Sequence, residues 1–130
     1  LRGASFRRAI LCGCKGMGAD FSEGYFADVC SEKCNYSYAN FSGSKWKAAR
    51  FAGCELSEVS LSECAVKGLE LQKVRLARAE IYGTMLKGVD LTDCDLAGLV
   101  LSADLHELRG ATVSALHAAA FLRALGINVK

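Results

Sequence analysis

Every fifth residue from Leu1 to Leu101 is large and apolar or aromatic in nineteen of twenty-one positions, the exceptions being Gly16 and Ser31. Five of the six phenylalanines (Phe6, Phe21, Phe26, Phe41, Phe51) and the only tryptophan, Trp46, stand in this row. Two positions before each of them runs a second row of small or aliphatic residues, from Ala4, Ala9 and Cys14 through Cys94 and Leu99, and no charged residue enters it. The charges fall on the other three positions of each five. A period of five held in one register for about a hundred residues matches neither the 3.6 of a helix nor the 2 of an ordinary strand.

A unit with two inward and three outward positions describes one side of a squared coil. Four units close a turn of twenty residues, and successive turns stack at the strand spacing of ~4.8 Å. The large residue fills the centre and the small one sits at the corner. Nine glycines, Gly3, Gly13, Gly18, Gly43, Gly53, Gly68, Gly83, Gly88 and Gly98, lie two residues after a central position, where a turn between sides needs φ > 0. The absence of proline suits coils joined by backbone N–H groups. Gly16 and Ser31 predict underpacking or a small kink in the first two coils. A core filled by two side chains per unit is expected to leave no interior pocket.

The repeat resembles the pentapeptide-repeat family, whose unit reads A(D/N)LXX. The closest copies are GADFS at 18–22, YANFS at 38–42, GVDLT at 88–92 and DCDLA at 93–97. The resemblance implies an all-β, right-handed quadrilateral β-helix of about five coils over residues 1–103, with a separate C-terminal part over 104–130. That second part departs from the period, since Asp104 would put an acid in the small row. It reads as a linker, a helix capped by Thr112 or Ser114 and stopped by Gly126, and a tail. Ala118, Phe121, Leu122 and Leu125 form one apolar stripe. A helix of about twelve residues needs packing, and the open end of the coil is the expected support. Leu1 rather than methionine opens the chain, and no comparable cap stands there, so residues are expected to precede it.

The ending, with RGA at 109–111 and LGI at 125–127, is similar to the C-terminal cap of the bacterial Qnr and MfpA topoisomerase-protecting group. That likeness implies a protein partner, DNA gyrase or topoisomerase IV, protection from quinolones, and a homodimer through the cap. Phe121, Leu122, Leu125, Ile127 and Val129 are the candidate interface residues.

Composition bounds the remaining possibilities. The 130 residues carry a net charge of +2 with 23% charged side chains, neither a disordered acidic tail nor a strongly basic nucleic-acid binder. The chain shows no apolar run of membrane-spanning length. Seven cysteines, an odd number, favour free thiols and a reducing, cytoplasmic setting over a disulfide scaffold. Cys14, Cys34, Cys54 and Cys94 fall at one corner of successive coils, with Val74 in the gap. Side chains stacked in parallel neither converge on zinc nor face one another for a disulfide, so packing is their expected role. Cys12 and Cys30 point outward. Neither His106 nor His117 is expected to have a nucleophile or a carboxylate arranged around it, and no phosphate loop, dinucleotide fingerprint, nucleophile elbow or zinc motif is present. The expectation is a non-enzymatic protein without cofactor or metal.

Two sides of the coil differ in charge. One is acidic, with Asp20, Glu23, Glu63 and Glu80 against Arg2. The next is basic, with Arg7, Arg8, Lys45, Lys47, Lys67 and Lys87 against Asp28. The basic side suits an acidic protein partner of a scaffold or adaptor; the alternative is a merely solvated face. Direct nucleic-acid binding through the basic side is not expected, because that side lacks exposed aromatic residues for base stacking. The acidic side is sparse for a duplex mimic. Five coils span ~24 Å, over which DNA carries ~14 charges, against these four carboxylates.

Overall fold

The computed structural model describes residues 2–130; the place of Leu1 in the central row lies outside them. Twenty residues make one turn of a four-sided β-solenoid, because below the last coil the paired rungs are parallel and lie twenty positions apart. Two sides form regular sheets. The first orders β1 (Ser5–Arg7), β3 (Tyr25–Ala27), β5 (Lys45–Lys47) and β7 (Ala65–Lys67). The second orders β2 (Ile10–Cys12), β4 (Cys30–Glu32), β6 (Arg50–Ala52) and β8 (Glu70–Gln72). The other two sides touch through single bridges, Lys15–Asn35–Glu55–Arg75–Asp95 and Asp20–Asn40–Ser60–Glu80–Val100.

The two inward rows make the core. Phe21, Phe26, Phe41, Trp46 and Phe51 are buried in the early coils, and Leu56, Ile81, Leu91 and Leu96 in the later ones. Rings stack at the coil repeat on two sides, Phe6 on Phe26 at 5.4 Å and Phe21 on Phe41 at 5.1 Å. Neighbouring sides meet edge to face, as Phe21 and Phe26 do at 6.2 Å. At one corner the small row is polar and satisfied: the Trp46 indole N–H donates to Ser44 Oγ at 2.5 Å, Ser44 Oγ to the Phe41 carbonyl at 2.6 Å, and the Cys64 N–H to Thr84 Oγ1 at 3.0 Å.

The corner two residues past the central position is left-handed at every coil position except Asp93 and Ala103, as the glycine spacing suggested. Ten of these positions hold other residues, among them Arg8 at φ 50°, Ala48 at 56° and Arg78 at 58°. The two bridge-joined sides close hydrogen-bonded turns there, for example Ala39 N–H to the Tyr36 carbonyl at 3.0 Å and Ala79 N–H to the Leu76 carbonyl at 3.0 Å.

Gly16 and Ser31 are explained by a third residue. The Tyr36 ring lies so close over Gly16 that a Cβ there would meet it at 2.8 Å. The same ring reaches Ser31, with 3.1 Å between the two hydroxyl oxygens. Space nonetheless remains: a cavity of about 200 Å³ is bounded by Gly16, Ser31, Tyr36 and the surrounding phenylalanines. The underpacking follows the sequence, and the space opens to solvent among the half-buried Phe6, Leu11 and Cys14 of the first coil, so it is a cleft and not an interior pocket.

The C-terminal part differs from a linker and cap. Residues 104–113 continue the coil as an irregular rung. Leu86 N–H donates to the Glu107 carbonyl, Gly88 N–H to Gly110 and Leu91 N–H to Thr112, at 2.8–2.9 Å. Asp90 bridges Thr112, twenty-two positions on instead of twenty, so this rung carries two extra residues. Leu108, Ala111 and Val113 pack on the core beneath them. Helix α1 (Ala115–Ala124) starts at Ser114, whose side chain accepts from the His117 N–H while His117 Nδ1 accepts from the Ser114 N–H. It covers less than its stripe implied. Phe121 is half-buried against the core, whereas Ala118, Leu122 and Leu125 are exposed. The helix rests on residues 104–113 because these have already closed the open coil.

Candidate protein-docking surfaces

Three outward residues per unit make each side a grid, so spacing along the chain becomes position on a face. On the first sheet Arg7, Ala27, Lys47 and Lys67 stand in one register column. Lys45 lies one column over, between Tyr25 and Ala65, and Arg8 occupies the adjoining left-handed corner. The Arg7 guanidinium sits 5.2 Å from the centre of the Tyr25 ring. Lys87 stays exposed one coil further on but outside the paired strands. None of these six cations forms an ion pair within 4.0 Å among the described residues. Like charges on adjacent rungs cost stability.

The bridge-joined side containing Glu55 shows the opposite habit. Arg75 lies between Glu55 at 3.8 Å and Asp95 at 3.5 Å, and Arg78 meets Glu58 at 3.3 Å. Its charges alternate along the ladder and cancel.

The acidic residues are spread more thinly. Asp20 and Glu80 share a bridge column but are separated in it by Asn40 and Ser60, and Glu80 is followed by Val100. Glu23 and Glu63 both occupy left-handed corners, with Gly43 between them. Arg2 pairs with Glu23 at 2.7 Å. Ser22 donates to Asp20 from its hydroxyl at 2.6 Å and its N–H at 2.9 Å, holding that carboxyl below the usual carboxylate range.

At the cap, Leu122 is 40% exposed, Leu125 56% and Ile127 48%, while Phe121 and Val129 are half-buried. An apolar groove bounded by Leu105, Leu108, Val113, Phe121, Leu122 and Leu125 runs along this end.

A cluster that the sequence did not suggest holds the cap to the coil. Glu107 is fully buried; burial pushes its pKa up, but hydrogen bonds from the Ser102 hydroxyl at 2.6 Å, the Gly83 N–H at 3.1 Å and the Ser102 N–H outweigh it and keep it below the usual range. His106 lies between two acids, Nδ1 at 2.6 Å from Asp104 and Nε2 at 3.6 Å from Glu107. The donor atoms lie within 4.8 Å of one another, but each ring nitrogen faces its own carboxylate, so the group clamps the cap in place of surrounding an ion. His117, the other histidine, joins the helix to the last coil through Nε2 and the Cys94 carbonyl at 2.8 Å.

The cysteine column behaves as packing. The Cys34 thiol donates to the Leu11 carbonyl and the Cys54 thiol to the Ser31 carbonyl, both at 3.4 Å. Burial pushes the Cys94 thiol up to about 11 and raises Cys54 and Cys64 as well. These thiols stay protonated and weakly nucleophilic. Cys12 is exposed and Cys30 half-buried. No helix among the described residues is long and apolar enough to cross a membrane.

A four-sided coil, a five-residue register and outward grids define a pentapeptide solenoid. The family model for pentapeptide repeats matches eight copies over residues 34–68 and 60–98, half of the chain, and the chain belongs to that family. Among solved structures it is similar to HetL, a pentapeptide repeat protein involved in heterocyst differentiation regulation from Nostoc sp. strain PCC 7120. That match has 17% identity and a TM-score of 0.49, over 86% of this chain and 60% of HetL. It is also similar to QnrB1, a plasmid-mediated fluoroquinolone resistance protein, in a trypsin-treated form, with 16% identity and a TM-score of 0.35 over 98% and 91% of the two chains. A pentapeptide repeat protein of the Arabidopsis thaliana thylakoid lumen matches with 19% identity and a TM-score of 0.39 over 94% and 90%. No curated protein matches the sequence. Likeness at this level says nothing of partner or activity.

Proposed function

We propose that this chain is a non-enzymatic, protein-binding scaffold whose basic side docks an acidic protein. The carrying observation is the contrast between two sides of one ladder. Arg75 and Arg78 are neutralised by acids on adjacent rungs, whereas Arg7, Lys47 and Lys67 share a column and form no ion pair within 4.0 Å among the described residues. Stacked, unpaired cations raise the energy of the free protein and leave their charge available to a partner. Seven thiols suit a reducing cytoplasm for such an adaptor. The test compares partner binding by the wild type with that of a Lys47→Glu, Lys67→Glu, Lys87→Glu triple variant. Loss of an acidic partner on charge reversal supports docking through this side.

A second reading is supported by the uncovered apolar groove of the cap. Leu122, Leu125 and Ile127 would make a homodimer surface, as the resemblance to the Qnr and MfpA ending implies, and the partner would be a type II topoisomerase, gyrase or topoisomerase IV, protected from quinolones. Gyrase supercoiling in the presence of ciprofloxacin, with the protein titrated in, separates the two. Rescue that weakens on charge reversal at Glu23 and Glu63 favours topoisomerase binding through the acidic side. Neither rescue nor inhibition by a folded protein leaves the scaffold.

A further inference from the structure

The ladder between coils is not continuous on every side. The bridge-joined sides keep their pairing to the end, through Arg75–Asp95 and Glu80–Val100, but both sheets stop at β7 and β8. Lower junctions are made by bonds such as Ala48 N–H to the Lys67 carbonyl, Arg50 N–H to the Val29 carbonyl and Gly53 N–H to the Gln72 carbonyl, at 2.8–2.9 Å. Gly68 N–H and Lys73 N–H, one coil above Ala48 and Gly53, have no backbone partner among the described residues, and neither do Asp90 N–H and the Leu69 carbonyl, two coils above Arg50 and Val29, although the intervening Glu70 N–H still meets the Ala49 carbonyl at 2.9 Å.

The cause lies in the last coil. Leu86 and Leu91 open hydrogen-bonded turns, closed by Val89 N–H and Cys94 N–H at 3.0 Å, on sides where β7 and β8 run as strands below. Residues 104–113 occupy the far edge of that coil. A seam of about 320 Å³ results, within the size range of ligand clefts. Leu69, Glu70, Gln72, Asp90, Thr92 and Asp93 line it, with the cationic Lys73 at the left-handed corner that follows β8. Asp90 is held in place by the Thr92 N–H, which donates to Oδ1 at 2.9 Å.

We propose that this seam takes an extended peptide segment of a partner protein bearing lysine or arginine, added as a strand to the free edge of β8. The backbone groups of Gly68, Leu69 and Lys73 supply main-chain pairing, and the carboxylates of Glu70, Asp90 and Asp93 select cationic side chains. The seam belongs to the side next to the lysine column, so a basic segment here and an acidic partner there do not compete.

The test uses the whole chain and three labelled peptides, acetylated and amidated: Val-Lys-Val-Lys-Val, its glutamate counterpart, and Val-Lys-Pro-Lys-Val, which lacks the central N–H. Binding is read by fluorescence anisotropy and amide hydrogen exchange. In the free protein Gly68 and Lys73 should exchange faster than Ala48 and Gly53. The lysine peptide should bind, slow exchange at Gly68, Lys73 and Asp90 about tenfold, and bind about tenfold tighter than the proline or glutamate peptide. Glu70→Lys and Asp90→Lys, both at exposed positions, should each weaken it by a similar factor. Equal affinity for the lysine and proline peptides, protection elsewhere on the solenoid, no binding, or slow exchange at Gly68 and Lys73 in the free chain would each overturn the proposal.

Discussion

Tyr36 reconciles the two residues that break the central row. Its ring needs the missing Cβ of Gly16, and its hydroxyl needs a small polar neighbour, which Ser31 supplies. Tyr36→Phe should strand a buried serine hydroxyl and cost about 1–3 kcal/mol, and adding Ser31→Ala should return part of that loss, as urea denaturation of both variants would show. His106 provides a residue-scale pH response. Its hydrogen bond to Asp104 raises its pKa above the usual 6.5. The stabilising contribution is therefore complete below about pH 6.5 and is lost as pH rises through the raised folded-state value. An NMR titration should place the His106 midpoint above 6.5, and Asp104→Asn should lower it.

At the scale of elements, a helix with no buried residue depends on its ends. Ser114 caps α1, and His117 both completes the capping box and ties the helix to Cys94. Ser114→Ala should cost about 1 kcal/mol, seen as faster amide exchange confined to 115–124 while the coil amides keep their protection. The coil itself was readable because one inward row of bulk and one of small residues repeat without a slip, and nothing but a four-sided coil buries both. Three features were not readable. Arg8, Ala48 and Arg78 turn the corner with positive φ because the coil geometry demands it, whatever the side chain. Residues 104–113 form a rung through backbone bonds, and their side chains have lost the register that marks the others. The open seam at β8 arises from a change of turn at Leu86 and Leu91, two residues that fit the row like any leucine.

For the whole molecule, the decisive property is how charge is distributed over four similar sides. Residue spacing alone set Arg7, Lys47 and Lys67 on one face, since 20 and 40 are whole coils, and the structure adds that these cations lack the anions that neutralise Arg75. Replacing one of them separates stability from docking. Lys67→Glu puts an anion on the rung next to Lys47 and should raise stability by about 0.2–1 kcal/mol in thermal or urea unfolding at low salt, with the gain shrinking as salt is added. A change made for folding alone would thus improve the protein, and docking is the function it would damage.

The measurement that bears most directly on the docking account is quantitative cross-linking of the protein in an extract of its source organism, run in parallel for three forms. These are the wild type, the Lys47, Lys67 and Lys87 charge-reversal variant, and a Glu23→Lys, Glu63→Lys variant, each verified as folded. The account predicts an acidic protein joined to the wild type and to the second variant but absent from the first, with the cross-links falling on the β1-β3-β5-β7 side. Partners that survive reversal of the lysine column and disappear with Glu23 and Glu63 would contradict it.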